Sequence, residues 1–136
     1  DCSYTSAWDE FAYQLKNPFG LPAFPLLYIF DLYCRIICKY SLRDASPIKA
    51  VRGAKVPILF IHGAKDALVP VKMQKELFDA CPTQKEMLTV ENAVHAQSYY
   101  TDPRAYEAAA EKFINECERT ENTSALSAPG GGKQIG

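Results

Sequence analysis

Two side chains in this 136-residue sequence stand where they could share chemistry, Asp66 and His95. Asp66 lies five residues past the apolar run Ile58-Leu59-Phe60-Ile61, and His95 lies five past Met87-Leu88-Thr89-Val90. If these runs are neighbouring strands of a parallel sheet, both side chains hang over its carboxyl edge, where reactive groups collect. A carboxylate there accepts the Nδ1–H of the histidine, fixes its tautomer and stabilises the imidazolium formed in catalysis. The second ring nitrogen is then free to act as general base toward a nucleophile. A lone Asp in such a loop is ordinarily a turn residue, and a lone His a satisfied surface group. Their joint placement, acid before histidine, favours the catalytic reading for both. His62, Lys65 and Ser98 lie in the same two loops.

The elements that must position this pair can be read from hydrophobic spacing. Pro57 to Ile61 is a continuous apolar run rich in branched and aromatic residues, the pattern of a strand buried on both faces. Val71 to Cys81 has Met73, Leu77, Phe78 and Cys81 at helical spacing, with Pro70 near its first turn and Pro82 just past its end. Lys85 to Val90 is a second strand. Asp102 is a good N-cap and Pro103 a good first helical residue for a helix whose apolar stripe is Tyr106, Ala109, Ala110, Phe113, Ile114 and Cys117. Strand, helix, strand, helix at this spacing predicts a right-handed parallel βαβ unit. Upstream, Trp8, Phe11, Ala12 and Leu15 predict a short amphipathic helix, and three prolines between Asn17 and Pro25 break the chain. Leu26 to Tyr40 then predicts a helix apolar nearly all round, buried on both sides or walling an apolar pocket. Asp31 and Arg35 interrupt that run, and about fifteen residues are too few to span a bilayer.

Composition excludes several classes. With 48% hydrophobic and 23% charged residues, the chain can build a core. A formal net charge of −1 and no basic cluster give no support to a nucleic-acid or anionic-membrane partner. Cys2, Cys34, Cys38, Cys81 and Cys117 are odd in number and contain no Cys-x-x-Cys, and there are two histidines. Free thiols in a reducing compartment follow, with a cytoplasmic location as the default, and neither metal nor other cofactor is expected. Residues 119–136 are polar and then Ser/Gly-rich, which predicts a tail that is disordered or derived from an expression vector.

The two loops carry a resemblance. Pro57-Ile58-Leu59-Phe60-Ile61-His62-Gly63-Ala64-Lys65-Asp66-Ala67-Leu68-Val69-Pro70 resembles the strand and acid loop of α/β-hydrolase-fold serine hydrolases. Asn92-Ala93-Val94-His95-Ala96 resembles their histidine loop, and Asp1 to Ser6 the strand after their nucleophile helix. Among subfamilies the similarity is to bacterial esterase and peptidase-like groups. The resemblance implies an α/β fold: the C-terminal half of an α/β-hydrolase parallel sheet, of about three strands, with flanking helices and a short lid segment. Residues 1–118 would be that part of the domain, with residues 17–43 as the lid. It further implies Asp66 as catalytic acid and His95 as base, with His62 structural behind the acid loop.

The same resemblance exposes a gap. The nucleophile of this fold sits on a Gly-x-Ser-x-Gly elbow, which the sequence lacks; Ser6, Ser41, Ser46 and Ser98 have no glycines so placed. The chain by itself is therefore expected to be inactive, its nucleophile and oxyanion hole lying upstream of residue 1. The expected partners are a small apolar ester, thioester or amide, and, at the edge of the first strand, either the missing N-terminal half or a second copy. The competing reading is a catalytically inactive hydrolase-fold fragment or binding module.

Overall fold

The apolar run after Pro57 becomes β1 (Ile58–Gly63), and Lys85–Val90 becomes β2, in a computed structural model that describes residues 1–127. The strands pair in parallel, from Ile58 opposite Lys85 to Gly63 opposite Val90. Between them α4 (Val71–Ala80) makes the crossover. Its Leu77, with Cys81, packs on Phe60 against Ile48 and Val51 from α3 (Pro47–Arg52). On the opposite face Ile61, Val90 and Ala93 pack with Leu59, Leu88 and Tyr106. Tyr106 belongs to α6 (Pro103–Ser127), whose first turn is capped by Asp102 Oδ1 accepting the Ala105 N–H at 3.0 Å. Helices therefore cover both faces of the sheet, which is why β1 reads as an unbroken apolar run. Buried Gln74 ties α4 to both strands, donating from Nε2 to the carbonyls of Phe60 and Leu88 at 3.2 and 3.1 Å.

The α/β class and the βαβ unit are as expected, but the described residues form a sheet of two strands rather than about three. Residues 1–5 run beside β1 and give it one backbone bond, from the Cys2 N–H to the Ile61 carbonyl at 3.0 Å. Cys2 has φ of 50°, a left-handed turn that ends any ladder there. The rest of that β1 edge borders a cavity of about 180 Å³, whose lining includes Asp1, Ser3, Val51 and Leu59.

The lid-like segment also departs from expectation. Instead of one helix to Tyr40, α2 (Leu26–Tyr33) passes into a π-helical turn at Cys34–Cys38. Leu27, Cys34 and Leu42 pack on Ala7, Trp8, Ala12 and Leu15 of α1 (Ala7–Lys16). Trp8 meets Tyr28 edge-on at 4.9 Å and carries the Arg43 guanidinium 3.8 Å over its ring. Asp31 closes the segment, accepting from Ser41 Oγ at 2.7 Å, the Leu42 N–H at 2.8 Å and Arg35 Nε at 2.9 Å. The Ser41 hydroxyl, opposed by burial, and the Leu42 and Arg35 donors hold this carboxyl below the usual carboxylate range. The segment is not buried on both sides: Ile29, Leu32, Tyr33, Ile36 and Ile37 are exposed. Among the described residues only one stripe, Leu27–Asp31–Cys34, faces inward, against α1 and the stretch from Ser41 to Leu42.

At the other end, residues 119–127, the first part of the expected tail, continue α6. A helix already nucleated gains one bond for each residue added. The Thr120 and Thr123 hydroxyls bond to carbonyls four residues back, at 2.9 and 2.8 Å. The rest of the expected tail, with Gly130 to Gly132, lies outside the described residues. Among the described residues no helix is long and apolar enough to cross a membrane.

Candidate active site

β1 ends in Gly63, and the acid loop turns immediately after it. A Cβ at Gly63 would overlap the backbone of Ala93 and Val94, so only glycine lets the acid loop pass against the histidine loop. The two loops are then stitched together by the Ala64 N–H on the Val90 carbonyl and the Lys65 N–H on the Ala93 carbonyl, both 2.9 Å. The acid loop folds around its own carboxylate: Asp66 Oδ1 accepts the N–H groups of Leu68 at 3.0 Å and Val69 at 2.9 Å. His62, fully buried, lies 2.8 Å from the Val69 carbonyl through Nε2. A carbonyl only accepts, so Nε2 carries the proton, and it also approaches Asp66 Oδ2 at 3.3 Å. His62 thus lies behind the acid loop and contacts it at Asp66 and Val69.

The histidine loop leaves β2 through a turn in which Asn92 takes φ of 65°, a conformation asparagine tolerates. Ala93 is wholly buried and Ala96 again has positive φ. Between them His95 projects back, and its Nδ1 meets Asp66 Oδ2 at 2.8 Å. The Asp66 carboxyl has no exposed side-chain surface, whereas the His95 side chain is 37% exposed. Burial works against ionising Asp66, but the Val69 N–H, the His95 N–H and its charge, and the Leu68 N–H together hold the carboxyl below the usual carboxylate range. An ionised carboxylate only accepts, so Nδ1 is the donor and Nε2 is left with its lone pair. The arrangement can take a proton at Nε2 and stabilise the resulting imidazolium.

Sequence reasoning named both members of this pair, and the structure brings them together. Lys65 is exposed and makes no side-chain bond with the pair. Ser98 is fully buried and donates to Asp1 Oδ1 at 3.2 Å. Ser6 caps α1 and Ser41 serves Asp31; among the described residues no serine lines the cavity beside His95. That cavity, of about 400 Å³, is lined by Cys2, Tyr4, Phe11 and Leu68, together with Glu10, Gln14, Val69 and His95. The wall is therefore built by the first residues, α1, the acid loop and His95, and the Leu26 to Tyr40 run does not line this cavity. Glu10 and Gln14 gave no sign in the sequence, because their approach to Leu68 spans more than fifty residues of chain.

Cys2, His62 and Asp66 bring donor atoms within 4.8 Å of one another, the spacing of a small metal-binding group. Most of these donors already have partners: Cys2 Sγ accepts the Ala96 N–H at 3.3 Å, His62 Nε2 is spent on Val69, and Asp66 on the N–H groups above. The cluster acts as a hydrogen-bonded hub joining the first residues, the acid loop and the histidine loop.

Comparison with known proteins places this geometry. The family described as Serine hydrolase (FSH1) matches residues 36–96. The uncharacterized protein YqkD of Bacillus subtilis (strain 168) is 30% identical over 115 residues, which are 85% of this chain and 38% of YqkD. The chain thus spans about two fifths of the length of that curated relative. Among solved structures, BpoC of Mycobacterium tuberculosis H37Rv, provisionally named a non-heme bromoperoxidase, aligns with 57% of this chain and 30% of its own, at 27% identity and a TM-score of 0.47. The thermophilic esterase Est2 of Thermogutta terrifontis aligns with 83% of this chain and 40% of its own, at 20% identity and a TM-score of 0.46. The family match agrees with the resemblance to serine hydrolases read from the sequence, and the matched segment is the one that carries both Asp66 and His95.

Proposed function

We propose that this chain supplies the acid and the histidine of a Ser-His-Asp triad that hydrolyses an ester, thioester or amide, the serine coming from a segment outside residues 1–136. The observation that carries the reading is the 2.8 Å contact between His95 Nδ1 and Asp66 Oδ2, with Nε2 left unspent beside a cavity. In this mechanism Nε2 takes the serine proton as the hydroxyl attacks the carbonyl. Asp66 stabilises the imidazolium, which then protonates the leaving group. Water repeats the cycle on the acyl-enzyme. Tyr4, Phe11, Leu68 and Val69 favour an apolar arm on the substrate. Residues 1–118 are then the C-terminal part of the hydrolase domain and residues 17–43 its lid. The partly unpaired edge of β1 is where a strand from the remainder of the domain, or from a second copy, would add. The free cysteines suit a reducing, cytoplasmic setting.

The absence of a Gly-x-Ser-x-Gly elbow from the 136 residues favours a second reading, a hydrolase-fold module that binds without catalysis. A fluorophosphonate probe separates the two in the longer protein that contains this chain. Labelling of one serine, lost in His95→Ala with the fold intact, supports the triad. A folded protein with no labelling supports the binding module.

A further inference from the structure

The cavity beside His95 is not uniformly apolar. Glu10, on the first turns of α1, lines it, and one oxygen of its carboxylate, Oε1, accepts from Gln14 Nε2 at 2.9 Å. Gln14 is itself fixed by a 2.6 Å bond from Nε2 to the Leu68 carbonyl in the acid loop. The other oxygen, Oε2, is buried and has no hydrogen-bond partner among the described residues. Among the described residues that line the cavity, none is a lysine or arginine. A buried carboxylate oxygen without a donor is costly to leave unmet, and a ligand that brings an N–H removes that cost. The volume of about 400 Å³ lies within the ordinary range for small-molecule sites.

We propose that this cavity is a substrate subsite in which Tyr4, Phe11, Leu68 and Val69 hold a short apolar chain and Glu10 reads a cationic N–H donor, a primary ammonium or guanidinium, at its end. The proposal deepens the hydrolase reading and rests on it for the identity of the reacting group. Gln14 positions the carboxylate, and through Leu68 it ties the subsite to the acid loop. A neutral chain of equal length fills the same walls but leaves Glu10 unpaired, so selectivity arises from the charge rather than from size.

The test uses the longer protein with two 4-nitrophenyl esters of one chain length, hexanoate and 6-aminohexanoate. The cationic ester is expected to be favoured in kcat/KM by roughly 10- to 100-fold, the range of a charge-assisted hydrogen bond. Glu10→Gln, isosteric and still able to accept from Gln14, should collapse that ratio toward one, while Glu10→Asp should retain part of it. Equal turnover of the two esters by the natural protein, unchanged in Glu10→Gln, overturns the role of Glu10 and leaves the hydrolase standing. If neither ester is cleaved, the hydrolase reading is the one in difficulty, and calorimetry with 6-aminohexanamide and hexanamide decides the subsite. Selective binding of the amine, lost in Glu10→Gln, upholds it, and equal or absent binding of both overturns it.

Discussion

Replacing Asp66 with asparagine exchanges one carboxylate oxygen for an NH2 group and should reverse the tautomer of His95. The carboxylate accepts on both oxygens: two backbone N–H groups at 2.9 and 3.0 Å on Oδ1, and the histidine N–H at 2.8 Å on Oδ2. The asparagine amide has one oxygen, which the Leu68 and Val69 N–H groups claim because together they fix the loop. Its NH2 then faces His95 Nδ1 and His62 Nε2–H, and the first becomes an acceptor. The His95 proton moves to Nε2, the nitrogen the proposed triad needs as base, so kcat of the longer protein should fall by about 10⁴-fold. Bonds to a charged acceptor are worth about 1.5–3 kcal/mol and neutral ones about 0.5–1.5. Three bonds lose their charge assistance, while the cost of burying the charge also disappears, so the net loss of stability is roughly 1–3 kcal/mol. Because the folded carboxyl titrates below its unfolded value of about 3.9, the natural protein holds this advantage above that pH and loses it as pH falls through the lower, folded value. Long-range proton–nitrogen spectra of labelled protein read the tautomer directly, and turnover and denaturant melts read the other two quantities. A His95 still protonated at Nδ1 in the variant, or a kcat within tenfold of the natural protein, would refute the reasoning.

Three further outcomes follow from the same geometry. Gly63→Ala forces a methyl group into the Ala93 and Val94 backbone and should cost about 1–3 kcal/mol, read as a lower denaturation midpoint at unchanged slope; an unshifted midpoint would mean the two loops are not held that close. Asp31→Ala removes the acceptor shared by Ser41, Leu42 and Arg35, so limited proteolysis should cut between residues 34 and 43 faster while β1 and β2 stay resistant. If the edge of β1 recruits another strand, the chain taken alone should show a mass that rises with concentration in sedimentation, whereas a constant 15.2 kDa species would remove the edge as a contact.

The sequence by itself determined the local elements and the two residues, Asp66 and His95, that meet over the sheet edge. Apolar runs and helical spacing act over a few residues, so β1, α4, β2 and α6 stand where the pattern places them, and Asp66 and His95 fall at equal distances past the two strands. The limits of α2 and α6 are not readable from spacing, because propagation and packing set where a helix ends once it has formed. What only the tertiary structure decided are the contacts between distant stretches. Cys2 reaches Ala96, Gln14 reaches Leu68, and Gly63 is pressed against Ala93 and Val94. The exposure of Ile29, Leu32 and Ile36 also belongs there, since a side chain is buried only if some other element arrives to cover it. Glu10 is the clearest case. In sequence it is one more acidic residue on a helix, and it becomes a candidate binding group only because α1 lies across the acid loop and leaves Oε2 buried without a donor.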